Sequence, residues 1–333
     1  MGRRRRQRGL IKAARTVWRA VQAAAVVALY LALNALPHRA ALRAGQAAGL
    51  LLYAIDGRHR RLAQEQLQRA FPRWTARQIR RTARRCYAQL GVSAAEFLRL
   101  GRGDRRAILG RVVIEGLEHL EGARSQGRGV IFLTAHLGNW ELMGIVCSLL
   151  GYRLYPVARP LDNPWINRLV NRIRSRFGGE VVSKKSESAP RDIVQALRGG
   201  DLVGMLLDQN MSPHHGVFVD FFGRPACTSK GLAVIARRTG APVVPAFIVR
   251  EGLDRHRILL QPPVELARTG DPDADLLANT ARCTAVIERM VRAHPEQWLW
   301  LHRRWKTQPP AAAGNGARSP APQMGGLRVH HHE

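Results

Sequence analysis

A histidine and a glutamate stand five positions apart in the segment TAHLGNWELMG, residues 134–144. An imidazole that gives one ring nitrogen to a carboxylate has a fixed tautomer, and its other nitrogen is free to take a proton from a hydroxyl. His136 and Glu141 are therefore candidates for a general base and its partner, a pair that can activate an alcohol for attack on an acyl group. The alternative is a capped helix with a solvent-facing histidine.

The apolar, β-branched run at residues 129–134 predicts a buried strand, and Asn139 is a candidate N-cap for a helix that begins at Trp140. His136 then lies at the carboxyl end of a strand, in the turn before a helix. Five residues on a continuous helix would leave two side chains about 140° apart. A turn between them can fold the Glu141 carboxylate back onto the imidazole, and a glutamate in the first helical turn also complements the helix dipole.

Beyond residue 110, short apolar runs alternate with helical patterns. This alternation predicts an α/β fold with a mostly parallel central sheet flanked by helices, in which ligands gather at the carboxyl ends of the strands. The predicted strands cover residues 112–114, 129–134, 153–157, 180–183, 202–207, 243–249 and 257–260. The predicted helices cover residues 139–150, 165–177, 190–198, 230–239 and 275–293.

The first 60 residues combine an arginine-rich start with two apolar stretches, residues 22–37 and 47–55. The first reaches the roughly 20 residues of a spanning helix only when residues 17–22 are added. Arginines flank the pair, so the positive-inside rule favours both flanks on the cytoplasmic face, as in a shallow hairpin or two interfacial helices. Two buried core helices and a cleaved signal peptide are the alternatives.

These patterns divide the chain into four parts. Residues 1–60 are predicted to form a basic leader with membrane-anchoring or interfacial helices, and residues 61–110 an amphipathic helical segment. Residues 111–307 form the predicted α/β catalytic domain, and residues 308–333, rich in Pro, Ala and Gly, a disordered tail. The arginines of the amphipathic segment fit either a solvated helix face or anionic lipid head groups.

The chain carries 53 Lys and Arg against 24 Asp and Glu, a formal charge of +29. Such an excess predicts an anionic partner: nucleic acid, an anionic membrane surface or an acidic carrier protein. Nucleic acid is disfavoured, because neither an RNA-binding signature nor a zinc-finger spacing accompanies the charge.

The sequence predicts neither a metal site nor a disulfide framework. Its four cysteines, which are far apart and form no C-x-x-C pair, are Cys86, Cys147, Cys227 and Cys283. The histidine run at residues 330–332 is too short and isolated to indicate a metal site. A G-x-S-x-G nucleophile elbow is also absent from the sequence.

Six segments, in this order, resemble the late acyltransferases of lipid A biosynthesis: TAHLGNWELMG, RPLDNPWINRLVNRIRSRFG, GMLLDQN, GVFVDFFGRPACTSKG, GAPVVPAF and PEQWLWLHRRWK. These lauroyl and myristoyl transferases belong to the lysophospholipid acyltransferase superfamily. The likeness extends over residues 42–306. Six motifs in the same order make it specific.

The resemblance implies that His136 is the general base and Glu141 its partner. It also implies a substrate-binding set: Asn139, Arg159, Asp208, Gln209, Phe221, Phe222, Gly223 and Arg224. Within this set, Arg159 would hold a phosphate of the acceptor or the donor. Asp208 and Gln209 would end a strand at the edge of the site, and the FFGRPA segment would shape the acceptor and acyl site.

The residues themselves leave other interpretations open. Arg159 also fits a surface turn, Asp208 a cap, and the pair Phe221 and Phe222 an ordinary core. The chain has Gln66 where the family commonly has asparagine, a departure that bears on the exact substrate more than on the chemistry.

The resemblance further implies the reaction. A fatty acyl group would pass from a thioester, on acyl carrier protein or CoA, to a hydroxyl of a membrane glycolipid, expected to be a lipid A precursor. The expected location is the cytoplasmic face of the inner (plasma) membrane, without covalent acyl-enzyme, cofactor or metal. Two alternatives stay open: an acyl-CoA-dependent enzyme for another glycolipid such as a phosphatidylinositol mannoside, and a catalytically idle membrane-binding relative.

Overall fold

The computed structural model of the protein describes residues 2–183, 186 and 188–310, with the backbone alone for residues 2–12. From residue 311 onward, the predicted disordered tail and its histidine run lie outside the described residues. The helices are α1 (Gly2–Ala35), α2 (His38–Ile55), α3 (Gly57–Ala70), α4 (Ala76–Leu100), α5 (Arg105–Leu109), α6 (Leu117–Arg124), α7 (Trp140–Leu149), α8 (Pro164–Ser175), α9 (Ala189–Arg198), α10 (Gly231–Thr239) and α11 (Pro272–Ala293). The strands are β1 (Val112–Glu115), β2 (Val130–Thr134), β3 (Leu154–Ala158), β4 (Val182–Ser183), β5 (Leu202–Leu206), β6 (Gly216–Asp220), β7 (Pro225–Ser229), β8 (Val243–Glu251) and β9 (Arg255–Leu260).

The main sheet has the strand order β1-β9-β8-β2-β5-β3-β4. Its neighbouring strands are parallel except for the antiparallel pair β8 and β9. The predicted mostly parallel α/β fold is confirmed, and each predicted strand matches an observed one. Sequence periodicity missed the separate β6–β7 hairpin and the short helices α5 and α6.

Both faces of the sheet are covered, which explains why β2 is apolar at all five positions. Ile131 and Leu133 pack into one core, with residues from α3, α9, α10 and α11. Val130 and Phe132 pack into the other, with residues from α2, α6 and α7. A strand buried on both faces shows a continuous apolar run in place of alternation, as expected for the centre of a parallel sheet.

The N-terminal helix α1 contains a 23-residue segment, Ala13–Ala35, that is long and apolar enough to cross a membrane. Only 6% of its apolar stretch is buried inside the protein. It is longer than the predicted apolar stretch because the helix continues from the basic leader. Helix α2 buries one side against α4 and exposes Leu51, Leu52 and Ile55 on the other. On its inner side α2 is therefore a core helix, one of the alternatives left open by the sequence.

The close crossing of α2 and α4 depends on glycines. A Cβ atom at Gly91 would lie 2.1 Å from the Gly45 carbonyl oxygen, and one at Gly49 would lie 2.2 Å from the Tyr87 carbonyl oxygen. These contacts are with rigid backbone, so a methyl group can be accommodated only if the helices separate. The spacing of Gly45 and Gly49 in the sequence was the available signal for this crossing.

We expect Gly91→Ala to lower the free energy of unfolding by about 1–3 kcal/mol, the usual cost of overpacking. Thermal unfolding of the purified protein measures this. The matched control is Gly122→Ala in α6, where an added Cβ meets no heavy atom within 4 Å. There the helix preference of alanine should raise stability by roughly 0.5–1 kcal/mol. A Gly91→Ala protein as stable as the Gly122→Ala protein would contradict the proposed packing.

Candidate active site

The turn after β2 presents His136 at the carboxyl edge of the sheet. Gly138 has a φ of +62°, and a Cβ atom there would lie 2.0 Å from the Ile248 carbonyl oxygen. Only glycine fits this close approach. Asn139 then caps α7 as predicted, since its Oδ1 accepts a hydrogen bond from the Leu142 backbone N–H at 3.2 Å.

The carboxylate that faces the imidazole is Asp208, which follows the neighbouring strand β5. Its Oδ1 lies 2.8 Å from His136 Nδ1. Its Oδ2 accepts hydrogen bonds from the His136 backbone N–H and from Trp298 Nε1–H, each at 2.8 Å. The side chain is 2% exposed, so the carboxylate is fixed by three donors in a buried place.

Electrostatics keep this carboxylate ionised. Burial alone would raise the pKa of Asp208, but the facing imidazole of His136 and the three hydrogen bonds outweigh it and lower the pKa to about 2. An ionised carboxylate at Nδ1 requires a proton on that nitrogen, which leaves the lone pair on Nε2. In this tautomer a neutral imidazole can accept a proton at Nε2.

The predicted pairing of Glu141 with His136 is wrong. Glu141 instead forms a two-point ion pair with Arg174 of α8, with Oε2–Nε and Oε1–Nη2 distances of 2.9 and 2.5 Å. The helix that begins at Trp140 carries the glutamate toward α8, whereas the adjacency of β5 and β2 brings Asp208 to the imidazole. Glu141 nevertheless lines the same cavity as His136.

A cavity of about 460 Å³ opens beside His136 between the sheet, α7 and the segment after β3. Its rim is polar and carries His136, Glu141, Arg159, Asp162, Arg174 and Gln209. Its interior is mainly apolar and is lined by residues that include Phe132, Met143, Leu154, Pro156 and Leu206. Such a volume is typical of small-molecule sites, and the apolar interior suits a hydrocarbon chain.

Two glycines keep the interior open. Gly144 on α7 and Gly204 on β5 approach Leu154, and a Cβ atom on either would meet a Leu154 methyl group at 3.6 Å. The cavity near Leu154 is therefore wider than it would be with alanine or larger residues at these two positions. Larger side chains there would fill part of the apolar space.

The rim holds two of the predicted substrate-binding residues. Gln209 Nε2 lies 3.3 Å from His136 Nε2, where a substrate hydroxyl would have to approach. Arg159 has a 66% exposed side chain with its Nη2 3.2 Å from Asp162 Oδ1. Asn139 does not line the cavity: it is 2% exposed and donates its Nδ2–H to Glu96 Oε2 at 2.7 Å.

The FFGRPA segment, predicted to shape the acceptor and acyl site, does not line the cavity beside His136. Phe221 and Phe222 are buried and lie outside the cavity wall, as do Gly223 and Arg224. The Phe221 ring centroid lies 5.7 Å from that of Trp298, the residue that donates to Asp208. Tight β6–β7 pairing turns these aromatic rings into the core and away from the cavity.

Sequence reasoning missed the roles of Trp298 and Arg174. The PEQWLWLHRRWK segment contains three tryptophans, and only the fold shows that one of them, Trp298, donates to Asp208. The same segment includes Arg304, a fully buried residue whose backbone N–H donates to Gln66 Oε1 at 3.0 Å. Burial lowers the pKa of Arg304 to about 10. Gln66, the departure from the family, therefore contacts the scaffold behind the site.

The structure is that of an α/β enzyme with an apolar cavity beside a histidine at the carboxyl edge of the sheet. The family model described as bacterial lipid A biosynthesis acyltransferase matches residues 12–307, and the chain belongs to this family. The chain is thus an acyltransferase.

Three relatives illustrate the range of the similarity. The lipid A biosynthesis lauroyltransferase of Escherichia coli K12 is 27% identical over 281 residues, covering 82% of this chain and 88% of its own. The lipid A biosynthesis myristoyltransferase of the same organism is 29% identical over 202 residues, 60% of each chain. The phosphatidylinositol mannoside acyltransferase of Mycobacterium tuberculosis is 27% identical over 195 residues, 58% of this chain and 60% of its own.

Proposed function

We propose that the protein transfers a fatty acyl chain from an acyl thioester to a hydroxyl group of a lipid A precursor, with His136 as general base. The observation that carries the proposal is the ionised Asp208 behind His136 at the mouth of an apolar cavity. Family membership and the lipid A transferases among the relatives support the choice of acceptor.

In the proposed reaction, the acceptor hydroxyl takes the place of the Gln209 amide at His136 Nε2. The imidazole removes the hydroxyl proton as the oxygen attacks the thioester carbonyl, and a C–O bond forms. The tetrahedral intermediate then collapses, the C–S bond breaks, and the imidazolium returns its proton to the leaving thiolate. Asp208 stabilises the imidazolium between the two steps, so no covalent acyl-enzyme is needed.

The apolar interior of the cavity is the proposed binding site for the acyl chain, since it leads away from His136 between α7 and the sheet. At the rim, Arg174 and Arg159 supply positive charge for anionic substrate groups. Glu141 is then a positioning residue, because its two-point ion pair fixes the guanidinium of Arg174 beside the reacting groups.

We expect Arg159→Lys to raise the acceptor KM by up to about tenfold with little change in kcat, because lysine keeps the charge but loses the planar fork that binds phosphate at two points. The side chain is 66% exposed in the free protein, which limits the effect. Acceptor and donor saturation are measured separately on the purified variant.

Arg168→Lys is the matched control for this variant, since Arg168 is exposed on α8 and lies outside the cavity wall. A shift in donor saturation alone would show that Arg159 serves the thioester donor, and the acceptor would then be bound by other cations.

The donor is proposed to be acyl carrier protein, whose acidic character would suit the +29 charge of the chain. The mannoside acyltransferase among the relatives favours one second candidate, transfer from acyl-CoA to another glycolipid. The intact contact between His136 and Asp208 argues against a catalytically idle relative.

The proposed location is the cytoplasmic face of the inner membrane. Helix α1 supports membrane attachment, because its apolar window exposes Trp18, Val21 and Leu29 among other large side chains. The arginines around the N-terminal helices support a cytoplasmic orientation and contact with anionic lipids.

Lipid composition tests the proposed function in cells. Mass spectrometry of lipid A from a strain that lacks the gene should show species with one acyl chain fewer than the parent. Restoring the wild-type gene should restore that chain, and restoring His136→Ala should not. If lipid A is unchanged and another glycolipid, such as a mannoside, is altered, the acceptor is that glycolipid and not a lipid A precursor.

A further inference from the structure

A second cavity, of about 280 Å³, lies on the other side of the first turn of α7. Leu142 lines this cavity, whereas its neighbours Glu141 and Met143 line the active-site cavity. The remaining walls come from the end of α1, the start of α2, the end of α4, α5 and β9. The proposed acyl transfer makes no use of this space.

Three arginines line the second cavity: Arg99, Arg102 and Arg111. Within the part of the chain that the structure describes, none of the three forms an ion pair within 4.0 Å. Arg99 donates to the Leu36 carbonyl oxygen at 2.8 Å, at the end of α1. Burial and then the charge of Arg111 lower the pKa of Arg99.

The two carboxylates in the wall are already engaged. Glu96 binds the buried Arg250 at 2.7 Å and His256 at 2.9 Å. Asp104 caps α5 by accepting a hydrogen bond from the Ala107 backbone N–H at 3.0 Å. Arg250 balances the charge of Glu96, and the three arginines of the wall outnumber the one remaining carboxylate, Asp104, so the cavity keeps a surplus of positive charge that an anion would neutralise.

Two imidazole nitrogens in the wall are buried without a hydrogen-bond partner among the described residues, His38 Nε2 and His256 Nδ1. Neither nitrogen is exposed to solvent, so the arginines are the groups of the wall that a bound anion would contact. A phosphate monoester carries both ionised and protonated oxygens near neutral pH, because its second pKa is about 6. Its ionised oxygens can accept charge-assisted hydrogen bonds from the guanidinium groups of the wall.

We propose that the second cavity binds a phosphate monoester group, presented either by a membrane lipid or as a free phosphate. A lipid source fits the location, because Asn34 in the cavity wall lies at the end of the exposed apolar window of α1. Glu96 also lies in the wall of this cavity and accepts a hydrogen bond from Asn139 Nδ2 at 2.7 Å. Because Asn139 is the N-cap of α7, this hydrogen bond connects the second cavity to the start of the helix beside His136.

The test uses the full-length protein in neutral detergent and two probes. Calorimetric titration with inorganic phosphate measures the free anion. Co-sedimentation with phosphatidylcholine vesicles that contain either phosphatidic acid or phosphatidylserine, at equal charge, separates a monoester head group from general charge. The cavity variants are Arg102→Gln and Arg111→Gln. The controls are Arg105→Gln and Arg106→Gln, exposed on α5 and outside the cavity wall.

We expect the cavity variants to lose about tenfold or more in affinity, as for a charged hydrogen bond to phosphate, while the controls keep wild-type affinity. Loss of inorganic phosphate binding identifies a free-anion site, and loss of the preference for phosphatidic acid identifies a lipid site. Arg102 is exposed and has no side-chain hydrogen bond within the described chain, so its variant decides the matter even if Arg111→Gln fails to fold. Equal behaviour of cavity and control variants toward both probes would overturn the proposal.

Discussion

Replacement of His136 by alanine is expected to lower kcat/KM by about 10²- to 10⁴-fold, the usual contribution of a positioned general base. The fold should persist, because the side chain is 19% exposed on a turn at the sheet edge and does not belong to either core. Purified protein, a labelled acyl thioester and a lipid A precursor provide the assay.

Two controls accompany this variant. Circular dichroism and thermal unfolding should match the wild type, which separates loss of the base from loss of the fold. Gln209→Ala removes the only other contact at Nε2 that the described residues provide and should leave activity within about tenfold. Activity of His136→Ala within a few-fold of wild type would remove this residue from the mechanism.

Asp208→Asn should have an effect of similar size. The amide has one acceptor oxygen where the carboxylate has two, and its NH₂ group must face one of the three donors that now bind Asp208. If it faces Nδ1, it favours the tautomer whose proton is on Nε2, and the base is lost. We expect a loss of about 10²- to 10⁴-fold in kcat/KM.

The same substitution should change stability in a pH-dependent way. The pKa of Asp208 is about 2 in the folded chain, below the value of about 3.9 for an unfolded aspartate. The charge therefore stabilises the fold at pH values above about 4, and this contribution is lost as the pH falls toward 2. Acid unfolding of Asp208→Asn should lack that part of the pH dependence.

Glu141→Gln is the matched comparison, since it also changes a carboxylate near His136 into an amide. It weakens the ion pair with Arg174 but leaves His136 and Asp208 in contact, so activity should fall by about tenfold at most. The opposite result would be a loss of about 10²- to 10⁴-fold in kcat/KM for Glu141→Gln together with nearly wild-type activity for Asp208→Asn. That result would show that Glu141, and not Asp208, is the partner of His136.

The sequence was sufficient to predict the elements that present His136. A continuous apolar run predicted β2, and the Asn139 cap placed the start of α7, so His136 was correctly expected at a strand end. These features are local: they depend on residues within a few positions of one another. The same holds for the strands that frame the sheet.

The contact between His136 and Asp208 could not be predicted in this way. Asp208 lies 72 positions from His136, and only the order of strands in the sheet makes β5 the neighbour of β2. Glu141 was predicted from its spacing and from the family resemblance, but the direction of α7 carries it to Arg174. The cavity beside His136 likewise depends on Gly144, Gly204 and Leu154, which come from three different elements.

Product identification tests the central claim most directly. Purified wild-type protein is incubated with acyl carrier protein thioester and a lipid A precursor, and the mass of the lipid product is measured by mass spectrometry. The proposed function requires one added acyl chain, attached as an ester to a hydroxyl group, and none with His136→Ala at equal protein concentration. An unchanged precursor in the presence of folded wild-type protein and intact thioester, or equal product from both proteins, would contradict it.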